Sequence, residues 1–320
     1  MAAATEVFVG IDVAGDELVV AIRSGEGVTR WTNDEAGQEG LVRHLRDHRP
    51  TLVVLEATGG VEQGIAAALA TAGLPTVIAN PKQVRDFARG VGKLAKTDPI
   101  DAAILARFGE VVRPAPRPST GEAGRALRAL VVRRRQVRDR RVADRQRRLR
   151  ADPVVRPFLD RAIAAATDEL AELDAAIAAR LATEPSWQAK RQVLESVPGI
   201  GPIIAATLVA ELPELGTLGA KQVAALAGLA PRTRESGKMR GAATIGGGRR
   251  GVRCALYLAA VTGIRWNPTI RTFYAQLLAA GKPKKLALVA AARKLLGILT
   301  AMLRDGTLWD PPTREPAPTP

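Results

Sequence analysis

Asp98 and Asp101, in Lys96-Thr97-Asp98-Pro99-Ile100-Asp101-Ala102, are the residues whose types and spacing speak most directly of chemistry. Proline favours the first turn of a helix and Ile100–Phe108 is rich in helix formers, so both aspartates are expected to open one helix. Three-residue spacing puts the two carboxylates on one face, where like charges repel. A divalent cation between them would relieve that repulsion. A structural reading stands beside this one: Asp98 as an N-cap before Pro99, Asp101 as a first-turn acid at the positive end of the helix dipole.

Two further acids end apolar runs. Val7-Phe8-Val9-Gly10-Ile11 leads into Asp12, and Leu52-Val53-Val54-Leu55 into Glu56. Open α/β sheets place ligands at the carboxyl ends of their strands. If these two strands are neighbours and the Asp98/Asp101 helix crosses the same end, Asp12, Glu56, Asp98 and Asp101 form a D-E-D-D cluster. All-oxygen ligation of that kind suits Mg²⁺ or Mn²⁺, and two such ions can orient attacking and leaving oxygens at phosphorus. Taken singly, Asp12 or Glu56 reads equally as a strand-end turn residue.

The elements that must position these acids follow in order. Val7–Asp12, Leu18–Ile22 and Gly27–Thr32 read as a three-strand antiparallel meander. A helix over Gly37–His48, the strand ending at Glu56, a helix over Val61–Ala72, a strand over Thr76–Ile78 and a helix over Lys82–Arg89 come next. That order is the order of an RNase H-like α/β domain. It ends at Pro114, Pro116 and Pro118, and the remainder reads as helical. The expected class is therefore α/β plus α: residues 1–118 an RNase H-like domain, 119–186 an arginine-rich coiled-coil region, 187–310 a mainly helical domain, and 311–320 a disordered tail.

Composition points to a polyanion. The net charge is +15 and the pI about 10.9, with arginine in excess, which favours nucleic acid as partner. Cys254 is the single cysteine. It excludes a disulfide framework and a cysteine-built zinc site, and fits a reducing cytoplasm. His44 and His48 stand four apart on a helix without a third soft ligand. The apolar runs are short or interrupted by charge, so no membrane span is expected. Arg133, Arg134, Arg135 and Arg138 lie in the most basic stretch, Glu122–Leu149. It is expected to pair with Phe158–Thr183 as an αα-hairpin whose surplus positive charge meets phosphate.

Pro198-Gly199-Ile200-Gly201 between two helical runs resembles a helix-hairpin-helix, with Gly199 and Gly201 letting backbone amides approach a phosphate. Further on, Ser236-Gly237 sits in a loop among Arg232, Arg234, Lys238, Arg240, Arg249 and Arg250. Lys284 and Lys285 lead the last helix and Arg293 lies within it, as further candidates for backbone contact. Ser236 has two open readings. Its hydroxyl attacks a phosphodiester, the arginine forks holding the phosphoryl charge, or it only hydrogen-bonds phosphate.

Across nearly its whole length the chain resembles the IS110/IS116/IS902 (IS110-family) DEDD transposases. Carrying the likeness are Val9-Gly10-Ile11-Asp12, Glu56-Ala57-Thr58-Gly59, Asn80-Pro81, Lys96–Ala102, Ser196–Gly201, Ala227-Gly228-Leu229-Ala230-Pro231, Glu235-Ser236-Gly237 and Ala292-Arg293-Lys294-Leu295-Leu296. The resemblance implies a RuvC-like N-terminal domain with Asp12, Glu56, Asp98 and Asp101 holding Mg²⁺ or Mn²⁺, and a C-terminal transposase domain with Ser236 as nucleophile. It also implies donor and target DNA as substrates and a structured guide RNA encoded by the element. The active site would be composite, in a dimer assembling to a tetramer, and the protein cytoplasmic and nucleoid-associated. Where family members often carry a Ser-Lys-x-Gly-like segment after the serine, this chain reads Ile245-Gly246-Gly247-Gly248. Two alternatives are a RuvC-like junction-resolving endonuclease using water and a non-enzymatic nucleic-acid binder.

Overall fold

The apolar runs that end in Asp12 and Glu56 are the two central strands of one sheet. This computed structural model describes residues 6–23, 27–95, 97–116, 121–233, 235–236, 239–241 and 243–310. Strands β1 (Phe8–Val13), β2 (Glu17–Ile22) and β3 (Thr29–Thr32) make the expected antiparallel meander. After helix α1 (Glu35–His48), β4 (Leu52–Glu56) adds to β1 in parallel. Helix α2 (Gln63–Thr71), β5 (Thr76–Ala79), α3 (Pro81–Gly90) and α4 (Asp98–Val112) complete the unit. The sheet order is β3-β2-β1-β4-β5.

β1 and β4 are continuously apolar because both of their faces are covered. On one face Val9, Ile11, Val53 and Leu55 pack with Leu41 and Leu45 of α1 and Ile65 and Leu69 of α2. On the other, Phe8, Leu52 and Val54 pack with Val84 of α3 and Ile104, Leu105 and Phe108 of α4. Side-chain caps set two of the helix starts. The Asp34 carboxylate accepts from the Gly37 N–H at 2.8 Å, and the Asn80 side-chain oxygen from the Lys82 N–H at 2.9 Å.

The chain divides into two compact units, Met1–Gly121 and Glu122–Pro320. In the second, α5 (Gly121–Arg150) and α6 (Arg156–Ala182) form the expected hairpin. Val137 meets Ala166 and Leu170 along it, and ion pairs Arg140–Glu169 and Arg148–Asp160 fix its antiparallel register. Leu127, Val131, Ile177 and Leu181, at the hairpin's base, join the core formed by the helices that follow. Those are α7 (Pro185–Glu195), α8 (Pro202–Glu211), α9 (Ala220–Leu226), α10 (Arg250–Trp266), α11 (Pro268–Ala279) and α12 (Lys284–Asp305). Between α9 and α10 a small antiparallel ribbon, β6 (Glu235–Ser236) with β7 (Met239–Arg240), stands where a plain loop was expected. Helix α12 is long and apolar enough to span a membrane, but Ala291, Leu295, Leu299 and Met302 lie in the core of this unit. The expected disordered tail, 311–320, lies outside the described residues.

Candidate active site

Residue 10 has room for no side chain. A Cβ there would stand 2.1 Å from the Ala102 carbonyl oxygen and 2.3 Å from the Ala106 nitrogen, so α4 lies directly on β1. Further along the helix, Gly109 sits over Phe8, Leu52 and Val54. The far end of α4 is tied down by Arg23–Glu110 (2.6 Å) and Arg113–Glu6 (2.5 Å). The helix therefore runs antiparallel to β1, and its first turn, with Asp98 and Asp101, points toward the carboxyl end of the sheet.

Strand alternation brings the other two acids to the same face. Asp12 is two residues beyond Gly10 and Glu56 two beyond Val54, and both predecessors face α4. One rung past the Ile11–Leu55 pair, Asp12 stands beside Glu56, on strands about 4.8 Å apart. Asp12, Glu56 and Asp101 are half-buried and Asp98 is exposed. None of Asp12, Glu56 and Asp101 is without a partner. Among the described residues no group of three or more His, Cys, Asp or Glu side chains is gathered as a metal-ligand set. The backbone directs four carboxylates to one edge, and an all-oxygen, anionic donor set of this kind fits a hard divalent cation. Lys96 lies outside the described residues.

Asp98 is not the helix cap. Thr97 occupies that position with extended backbone, and its carbonyl accepts from the Asp101 N–H at 2.8 Å. Asp98 is thus the first residue of α4, with its carboxylate uncommitted to capping.

Glu62 carries a role that no motif in the sequence announced. Its side chain is buried and accepts from the backbone N–H groups of Thr58 (3.1 Å) and Gly60 (2.8 Å) and from the Gln63 side-chain amide (2.8 Å). Burial alone would raise its pKa, but these hydrogen bonds together outweigh burial and hold it below the ordinary value. The turn that leaves Glu56 is therefore organised around a second carboxylate. The only sequence signal was an acid closing the Thr-Gly-Gly-Val turn.

In the second unit, the arginines expected to meet phosphate are engaged with acids. Arg133 pairs with Glu169 (2.6 Å), Arg134 with Asp174, Arg135 with the buried Glu211 (2.9 Å) and Arg138 with Asp139 (2.7 Å). Arg128, Arg145 and Arg150 on the same helix are exposed and, among the described residues, make no ion pair. Gly199 has φ +105°, and a Cβ on it would come within 2.9 Å of the Ala259 oxygen and the Gly263 nitrogen, so it seats the α7–α8 turn on α10. Gly201 is the N-cap of α8 with open space beside it and no side-chain cap, an end whose dipole favours an anion.

Ser236 is exposed and pairs with Met239 near the tip of the β6–β7 ribbon. Below it, Arg232 and Thr244 exchange backbone hydrogen bonds of 2.8 and 3.1 Å. Arg234 and Lys238 lie outside the described residues, as does the side chain of Arg240. Pro231 before the ribbon, Ile245 after it, and Lys285, Leu286, Val289 and Arg293 of α12 line an open groove of about 490 Å³. Lys284 is exposed beside it.

An α/β unit whose sheet order places acids from β1, β4 and α4 at one edge is compatible with an RNase H-like DEDD transposase domain. Residues 9–151 match the model of the IS110-type DEDD transposase, and residues 191–275 match the model described as "Transposase IS116/IS110/IS902 family". The chain is 28% identical over 317 residues to a pilin gene-inverting protein of Moraxella bovis, covering 96% of this chain and 98% of the relative. The corresponding protein of Moraxella lacunata is 27% identical over the same length. A 43.6 kDa protein of insertion element IS110 from Streptomyces coelicolor is 36% identical over 167 residues, 51% of this chain and 40% of the relative. The chain belongs to the IS110/IS116/IS902 family of transposases, and it is a DNA transposase/recombinase.

Proposed function

We propose that this transposase breaks and rejoins DNA strands with Ser236 as nucleophile and Asp12, Glu56, Asp98 and Asp101 as the holders of a divalent cation, Mg²⁺ or Mn²⁺. The observation that carries this is the seating of α4 on Gly10, which aims Asp98 and Asp101 at the sheet edge where Asp12 and Glu56 end. Bound there, the cation would offset the charge that develops on phosphorus. The serine oxygen forms a bond to phosphorus, the bond to one sugar oxygen breaks, and that oxygen takes up a proton. In rejoining, a sugar hydroxyl attacks the phosphoserine ester and releases the serine, so the linkage is conserved throughout.

Exposure of Ser236 on a ribbon tip supports its reaching a DNA strand, and the order of both halves' motifs supports the family's division of labour. In the same reading, the acids of one subunit meet the serine of another within a dimer assembling to a tetramer. A structured guide RNA pairs with donor and target DNA, and the arginine hairpin, the Gly199–Gly201 turn, Lys284, Lys285 and Arg293 hold nucleic-acid backbone. The reaction takes place in the cytoplasm, on the nucleoid.

Two substitutions test the proposal. Asp12→Asn should abolish Mg²⁺-dependent cleavage while leaving DNA affinity nearly intact. Ser236→Ala should lose both cleavage and the covalent protein–DNA adduct, whereas loss of a phosphate-binding hydroxyl would cost only about tenfold. An adduct formed by Ser236→Ala protein refutes the nucleophile. Mixing the two proteins should restore some activity, and failure while both co-assemble on DNA refutes the two-subunit site.

A further inference from the structure

The chain leaves the helical core of the second unit after Gly228 and returns to it at Gly248 through a tightly closed base. A Cβ on Gly248 would lie 2.4 Å from the Gly228 nitrogen and 2.5 Å from the Leu226 oxygen, so the two legs meet backbone to backbone there. At that point Arg249 donates its N–H to the Leu226 carbonyl at 2.7 Å. Its guanidinium forks onto the Glu214 carboxylate at 2.5 and 2.6 Å and also reaches the Glu211 carbonyl at 3.0 Å. Glu214 is 12% exposed and Arg249 30%, so the pair is largely withdrawn from solvent, where a bidentate arginine–carboxylate contact is geometrically demanding. From the next turn Arg253 donates to the Gly247 carbonyl at 2.6 Å. Glu211 in turn holds Arg135 of α5. Arg135 on the Glu211 carboxylate and Arg249 on the Glu211 backbone carbonyl thus meet at one residue, between the arginine hairpin and the foot of the serine ribbon. By sequence Arg249 is a cation flanking the serine, and the structure commits it to this foot.

We infer that Arg249 and Glu214 are a positioning pair for Ser236: their bidentate contact fixes the angle at which the ribbon leaves the core, and with it the reach of the serine hydroxyl. This rests on the reading of Ser236 as nucleophile. Placement errors of about 1 Å cost reaction rates on the order of a hundredfold, and a change at the foot is passed along the ribbon to the serine.

Arg249→Lys keeps the charge and removes the fork. Adduct formation is measured in single turnover on a nicked duplex of the DNA flanking the gene, beside duplex affinity, melting temperature and backbone hydrogen exchange across 226–249. The expected result is a ten- to hundredfold slower adduct, affinity and melting close to wild type, and faster exchange confined to this segment. The exchange of partners in Arg249→Glu/Glu214→Arg should restore adduct formation above that of Arg249→Glu alone, which a loss of folding would not allow. Arg249→Lys with wild-type adduct rate, or a double variant no better than the single, overturns the pair. Ser236→Ala beside them separates the two claims. Adduct persisting in Ser236→Ala removes the nucleophile and with it the pair's purpose. Adduct absent there but undiminished in Arg249→Lys removes the pair alone.

Discussion

Gly10→Ala is the smallest change that tests the seating of α4, which turns Asp98 and Asp101 toward the ends of β1 and β4. The added methyl would begin 2.1 Å from the Ala102 oxygen, and ordinary contact starts at 3.4 Å, so α4 must lift from β1 by more than 1 Å. A simple tilt is opposed by Gly109, which packs against Val54 further along the helix. Overpacking of this kind costs about 1–3 kcal/mol. In a unit of this size that amounts to a fall of roughly 5–15 °C in its melting temperature. The displaced turn carries Asp98 and Asp101, and a 1 Å error there should slow metal-dependent cleavage on the order of a hundredfold. Thermal melting and a Mg²⁺ titration of cleavage read the two effects separately. A more stable background restores the fold but not the geometry, so the cleavage defect should persist when melting is brought back to wild type. Wild-type melting together with wild-type Mg²⁺ dependence would refute the seating of α4 on β1, and with it the proposed use of Asp98 and Asp101 beside Asp12 and Glu56.

Other expectations follow from the same packing and pairing. Glu211→Ala removes the carboxylate that holds Arg135 and should destabilise the second unit by about 3 kcal/mol, measured by denaturant unfolding. Neutralising Arg128, Arg145 and Arg150 together should lower the slope of log affinity against log salt by about 0.7–0.9 for each phosphate no longer bound, whereas Arg133→Gln with Arg134→Gln should change the slope little. Glu62 has a depressed pKa, so its contribution to stability is complete above the ordinary value of 4.5 and is lost as pH falls through the lower folded value. Melting of wild type and Glu62→Gln across that acid range should show a smaller pH dependence in the variant.

Much of the first unit was legible because each strand states its own end. An apolar run stopping at Asp12 or Glu56 marks where burial on both faces gives way to solvent, and the two stops align because β1 and β4 pair in register. The meander and the helix carrying Asp98 and Asp101 were readable from period and turn residues alone. What held them together was not. Gly10 within an apolar run reads only as a weak strand residue, since nothing local announces a helix backbone lying on it. The helix start differs from the sequence reading by one residue: Asp98 before Pro99 has the chemistry of an N-cap, but Thr97 takes the position. Glu62 is silent in the sequence because two of its three partners are backbone N–H groups of a turn, which no side-chain pattern encodes.

The arginines show the opposite failure, in which a strong signal said less than it promised. Counting charge along α5 gives a large surplus, yet the field at a surface depends on which charges are neutralised by neighbours a few ångströms away. Those neighbours, Glu169, Asp174 and Glu211, sit 36 to 76 residues further on, and their identity follows from the register of the hairpin and its junction with α8. Arg133, Arg134 and Arg135 are adjacent in sequence but point to three different acids around the helix. Arg133 and Arg134 pair across the hairpin, and Arg135 ties it to Glu211 of α8. The charge that remains for a polyanion is then concentrated on exposed side chains such as Arg128, Arg145 and Arg150, spaced along the full length of α5. A long rod bearing spaced, exposed cations is suited to follow a phosphate backbone over several contacts rather than to grip one phosphate.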